Sequence, residues 1–255
     1  MIFLGVSTPL DSRPDPVQRL YATLADVNDA VDGPRYLRNA TGSLDWPDRG
    51  VYFFFSSDSD LESAPARDWH LTRVGTVGVS EGSSNTLWNR LRQHRGNFRG
   101  KYAGGGNHRG SIFRLHVGRA LIERDNLHDD YHHWGTPLRD LDVETTTIRE
   151  QEHPLEQRVS DYIRDLPFLW VNIPDEPGPE SDRATVEKNA IATLSHFRRT
   201  NPDLYKDGWL GHESPKPEIY KTGLWNINHV EALYSQHVVD LISEYAEKTQ
   251  PLSEE

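Results

Sequence analysis

The chain has 255 residues, a net charge of −11 and no cysteine, so disulfides, thiolate metal sites and cysteine nucleophiles are excluded and any chemistry falls to His, carboxylates, hydroxyls or a metal held by oxygen and nitrogen. No run approaches the roughly 18 apolar residues that cross a bilayer, and the opening MIFLGVSTPL lacks the basic start of a secretory signal. One cytoplasmic domain without a membrane segment is expected, and the overall acidity argues against a general polyanion binder.

In chain order, Val17, Leu20, Tyr21, Leu24, Val27 and Val31 recur at helical spacing and predict a helix over residues 14–32, stopped by Gly33. GVYFFF (Gly50 to Phe55) is short, aromatic and bounded by turn formers, as a buried strand should be. HLTRVGTVGV (His70 to Val79) reads as a second strand, paired antiparallel with the first. Ser83, Ser84 and Asn85 offer caps for the helix TLWNRLRQH, which ends at Gly96.

Residues 97–165 read as an insertion with a glycine-rich loop, a helix over Ser111 to Ile122, a His-rich loop and an amphipathic helix over Leu155 to Leu166. FLWVNI (Phe168 to Ile173) is the third strand. A Pro-rich turn leads into a helix over Arg183 to Phe197, and a last helix is expected over Glu231 to Lys248. The fold class is α+β, with a mostly antiparallel sheet of three or slightly more strands flanked by helices.

Charge is unevenly distributed. Between Gly82 and Ile122 there is no Asp or Glu, whereas Arg90, Arg92, Arg95, Arg99, Lys101, Arg109, Arg114 and Arg119 all lie there. Such a block is either a footprint for a polyanion or a solvated loop paired with the acidic remainder. KYAGGGNHRG (Lys101 to Gly110) lacks the spacing of a nucleotide-binding P-loop and is read as a DNA-contacting loop, which brings His108 and Arg109 into the contact set.

Two helices place charge beside their apolar stripes. Leu87, Leu91 and His94 share a face, and Arg90 lies one turn before His94. Glu187 sits among Val186, Ala190, Ile191 and Leu194. A carboxylate so placed needs a cation. Either Arg90 and Glu187 form a structural bridge, or Glu187 holds a hard divalent metal while Arg90 holds a phosphate, and periodicity does not separate the two.

GVY at Gly50 to Tyr52 resembles the GIY strand of the GIY-YIG nucleases, and RVG at Arg73 to Gly75 lies where the YIG strand should be. The Arg90/His94 helix resembles the family's R-x-x-x-H helix, and VEKNAIATLS resembles the helix carrying its single Glu. The resemblance covers residues 49–96 and 168–230. One position departs from it, because Arg73 stands where the family has a second Tyr.

The resemblance implies metal-dependent endonuclease action on DNA, duplex in preference to RNA, giving a 5′ phosphate and a 3′ hydroxyl. Tyr52 would activate water with His94 as proton acceptor. Arg90 would grip the phosphate, and Glu187 would bind one Mg²⁺ or Mn²⁺. Asn226 is the first choice for the family's Asn, ahead of Asn228 and Asn201. Arg73, Arg92, Arg95, Arg99, Lys101, His108 and Arg109 would contact nucleic acid. Restriction or phage defence is the role expected, with a symmetric homodimer as the economical arrangement for double-strand breaks. The competing reading is a binding module on the same fold that does not cut.

Overall fold

The computed structural model describes residues 15–200, 208–235 and 237–253. The expected α+β architecture is present. Strands β1 (Arg35–Tyr36), β2 (Gly50–Phe55), β3 (Leu71–Thr76) and β4 (Pro167–Asn172) form one antiparallel sheet in the order β1-β4-β2-β3. Every residue of β2 is buried. GVYFFF is apolar along its whole length because it lies inside the sheet with both faces covered.

Register decides which side chains share a face. Tyr52 pairs with Gly75 and Trp170, and Phe54 pairs with Arg73 and Phe168. The period of two therefore puts Tyr52, Phe54, Arg73 and Gly75 together. That face is covered by α2 (Leu87–Arg95), α3 (Ile112–Asp125) and α4 (Thr145–Arg164), with Phe54 meeting the rings of His94 and Phe113. The opposite layer consists of α1 (Pro16–Ala30), α5 (Asp182–Thr200) and α6 (His237–Ala246).

The outer edge of β3 is covered rather than open. Trp225 donates its backbone N–H to Thr72 O at 2.7 Å, and the Asn226 side chain makes two bonds to Val74, accepting from its N–H at 3.1 Å and donating to its carbonyl at 2.8 Å. An exposed row of strand donors and acceptors is thereby satisfied.

The sequence boundaries need three corrections. Helix α4 begins at Thr145, ten residues before the expected start, and runs through Pro154. Proline removes one helical hydrogen bond, but Pro154 is exposed, so water can satisfy the freed carbonyl. The buried face of α4 also includes Glu152 and Glu156, which disguise its apolar period. The last helix starts at His237 rather than Glu231, because Ser235 N–H is held by Asn189 Oδ1 at 2.6 Å outside the helix. The two-residue β1 is too short to carry an alternating pattern.

Candidate active site

Tyr52 is 1% exposed. Its ring fits because position 75 is glycine, where a Cβ would collide with the phenol. The Tyr52 hydroxyl lies 2.8 Å from His94 Nε2, and His94 Nδ1 lies 2.7 Å from Ser111 Oγ. Thr86 caps α2 at Asn89 N–H, and Gly96 ends it with φ 77°, which fixes the turn carrying His94. Ser111 caps α3 and accepts from Arg114 N–H at 3.3 Å. One serine hydroxyl thus serves the helix and the imidazole.

Arg73 reaches the same cluster from β3. It is 6% exposed, donates Nη1 to Trp225 O at 2.9 Å, and stacks 4.9 Å above the Phe113 ring centroid. Its Nε is buried without a hydrogen-bond partner. A buried donor left unpaired is costly, and this one lies among Tyr52, His94 and Glu187.

Glu187 is supplied by α5, from the other layer, and is partly buried. Burial raises its pKa, while Arg73, a hydrogen bond with the Thr76 backbone and Arg90 pull it down without prevailing. Burial likewise raises Tyr52 and holds the phenol protonated. It also pushes His94 well below the ordinary imidazole value, aided by the charges of Arg73, Arg90 and Arg114. The cluster at rest is a neutral phenol on a neutral imidazole, beside unmatched guanidinium charge.

Arg90 is half-buried, and its side chain donates to Gln93 Oε1 at 2.9 Å. Among the described residues, neither Arg90 nor Glu187 has an opposite charge within ion-pair distance. The structural bridge between them is not formed. No group of three or more His, Asp or Glu that could hold a metal ion is found among the described residues, so Glu187 stands outside any such cluster.

A comparison with protein families matches residues 11–252 to the GIY-YIG domain. The chain belongs to the GIY-YIG family. Its members are nucleases that act on DNA, and nothing among the curated proteins or the solved structures matches this chain. In this GIY-YIG domain the GVY and RVG motifs are the adjacent strands β2 and β3, and their glycine and tyrosine meet across the ladder.

The structure divides the expected nucleic-acid contacts of this GIY-YIG chain. Arg92 and Arg99 are exposed, and among the described residues they lie outside every ion pair. Lys101, also exposed, pairs with Glu150 at 2.6 Å. Arg95 donates to Ala40 O at 2.6 Å and lies between the rings of Trp88 and Phe98, at 4.9 and 4.5 Å from their centroids.

Two of those contacts are corrected. His108 is buried, with its backbone N–H and Nδ1 on Glu156 Oε1 at 2.6 and 2.9 Å and its Nε2 accepting from Gly135 N–H at 3.1 Å. Arg109 grips Glu152 with both terminal nitrogens and also donates to the carbonyls of Thr136 and His133. His108 has no donor left for a phosphate, and the charge of Arg109 is already met by Glu152. A basic window counted along the sequence does not reveal that α4 supplies partners from more than 40 residues away.

Asn226 has both amide atoms engaged with Val74, so here it holds the β3 edge in register with Arg73 and Gly75. Asn228 is exposed, and Asn201 lies outside the described residues. Ser111 and Arg114 were missed as site-shaping residues. A serine before an apolar helix signals a cap, but nothing in the sequence ties it to His94. Among the described residues, no helix is long and apolar enough to cross a membrane.

Proposed function

We propose that this chain is an endonuclease that hydrolyses phosphodiester bonds of duplex DNA with one Mg²⁺ or Mn²⁺ held by Glu187. The observation that carries this reading is the Tyr52–His94–Ser111 chain, 2.8 and 2.7 Å per link, set beside unmatched Arg73, Arg90 and Glu187. Such a set has a proton path and charges without partners, as a site for an anionic phosphate and a cation needs.

The tautomer follows from the donors. The positive charge of Arg73 acts on the Tyr52 oxygen, which favours that oxygen as an acceptor and leaves the phenolic hydrogen to be donated elsewhere. We assign that hydrogen to His94 Nε2, with Nδ1–H donating to Ser111. A water attacking phosphorus then gives its proton to the Tyr52 oxygen as the phenolic proton passes to Nε2. The arriving phosphate offsets the Arg73 and Arg90 charges that depress His94, so the imidazole becomes more basic when substrate is present.

Arg90 and the free Nε of Arg73 are donors for the developing charge on the phosphoryl oxygens. A lone carboxylate suits a magnesium-type ion, which keeps most of its waters. Such an ion supplies charge neutralisation at the leaving 3′ oxygen. The products would be a 5′ phosphate and a 3′ hydroxyl.

The test is cleavage of plasmid, phage and modified-base DNA with Mg²⁺ or Mn²⁺ against EDTA, comparing wild type with Glu187→Gln. Metal-dependent cutting that falls by at least about 10³-fold in the variant is expected. The substitution of Arg73 for the family Tyr favours one other reading, a module that binds without cutting. No cutting on any substrate, together with salt-sensitive binding that the variant keeps, would establish that reading instead. A role in restriction or phage defence predicts lower phage plating on cells making the wild type than on cells making Glu187→Gln. Double-strand breaks would require two copies of the site, since each holds one scissile phosphate.

A further inference from the structure

Two open grooves flank the 3₁₀ turn His108–Gly110 and share Gly110 in their linings. The first, of ≈ 750 Å³, contains Arg92, Arg95 and Arg99. The second, of ≈ 560 Å³, contains Arg90 and the exposed Arg139, which lies 3.6 Å from Asp140, together with Arg109, whose charge is met by Glu152. Neither lining includes an Asp or Glu, in a chain whose net charge is −11. The turn is a ridge with a cationic track on each side, and the second track includes Arg90 of the site described above.

The ridge is pinned from below. Glu156 binds the backbone N–H and ring of His108, and Trp134 stacks on that ring at 3.7 Å between centroids. Glu152 holds Arg109, and the Asn107 side chain caps the turn by accepting from Arg109 N–H at 3.1 Å. Two buried carboxylates thus fix the spacing of the tracks, a function that a loose surface loop could not perform. In the first groove, burial and the neighbouring charges of Arg164 and Arg92 push Arg95 below its ordinary value. Crowded like charge of this kind is relieved by an incoming anion.

We infer that the ridge enters a groove of duplex DNA, so that the two phosphate backbones lie one in each cationic track. One strand runs on the Arg90 side and its complement on the Arg92 and Arg99 side. This rests on the DNA reading above, but not on cleavage. A single strand would fill one track and leave the other's charge unmatched. Two tracks held on either side of one ridge suit the paired backbones of a duplex.

The experiment uses the full chain in EDTA, with binding of a short duplex and of each component strand followed by fluorescence anisotropy across a salt series. The duplex is expected to bind at least about tenfold more tightly than either strand, since more phosphates are neutralised. Arg99→Ala and Arg139→Ala replace exposed side chains, and each should lower the salt slope by about one. Neutral methylphosphonates placed along each strand give the decisive map: Arg99→Ala should abolish interference on one strand and Arg139→Ala on the other. Both variants mapping to the same strand would overturn the inference, and so would a single strand binding as tightly as the duplex. A two-strand map without cutting in Mg²⁺ would leave the inference standing and remove the nuclease reading alone. Cutting with a one-strand map would do the reverse.

Discussion

Among the described residues, two of the regions that bury charge treat it in opposite ways. Between α3 and α4, Arg114 is wholly buried, and its guanidinium is saturated. It contacts the Glu156 carboxylate and carbonyl, Ser160 Oγ at 2.9 Å and the His94 carbonyl at 2.8 Å. On the Tyr52 face, among the described residues, Arg73 keeps an unpartnered Nε, and Glu187 and Arg90 lack opposite charges within ion-pair distance. The first region is complete in itself. The second lacks a counter-charge of each sign, and DNA with its metal would supply both. The regions also touch, because the Arg114 bond to the His94 carbonyl braces the helix that carries the imidazole.

The sharpest way to break this contrast is to remove one functional group from each region. Glu156→Ala strands the buried Arg114 charge and should cost about 3–5 kcal/mol of stability, measured by urea denaturation. Tyr52→Phe removes the proton relay while keeping the ring, and should lower kcat by about 10²–10⁴ with the melting temperature little changed. A Tyr52→Phe enzyme that cuts normally would eliminate the assigned path.

Acid titration of stability separates the regions again. Hydrogen bonding to His108 and the charge of Arg114 overcome burial and hold Glu156 at about 2, so the stability it contributes above the ordinary carboxylate value is lost as pH falls toward about 2. His94 is depressed, so the unfolded imidazole takes up a proton below about 6.5 that the folded one refuses, and stability falls through that earlier window. His94→Gln should lessen the first decline, which His116 shares, and Glu156→Gln should lessen the second. Glu187 carries the opposite sign. Its raised value means its contribution is present below the ordinary carboxylate range and lost as pH rises, so Glu187→Gln should raise the melting temperature at pH 7. A lowered melting temperature would mean that Glu187 is paired after all.

Ser111→Ala tests the smallest effect. Losing one neutral hydrogen bond of about 1 kcal/mol should lower kcat about fivefold and alter the ring-nitrogen NMR signature of His94. Ser111→Thr, which keeps the hydroxyl, should restore both.

Much of the fold could be read because local rules and tertiary structure agree there. GVYFFF is bounded by turn formers and is a strand buried on both faces. TLWNRLRQH carries its cap and its stop, and the stripe of VEKNAIATLS points inward with Glu187 at its border. Where the two conflict, the sequence misled. Glu152 and Glu156 broke the apolar period of α4 because their partners lie on another element. His108 and Arg109 looked like a contact loop because local charge does not show which guanidinium already has a carboxylate.

The sequence by itself determined the strand and helix types and the order of the GIY-YIG motifs, which follow from local residue patterns, and the family resemblance singled out Tyr52, Arg90, His94 and Glu187 as site candidates. Only the tertiary structure decided that Arg73 lies beside Tyr52, that Ser111 orients His94, that Asn226 clasps β3 and that Arg109 is spent on Glu152. Those facts depend on strand register and on which buried charges find partners, and both are set by residues far apart in the chain.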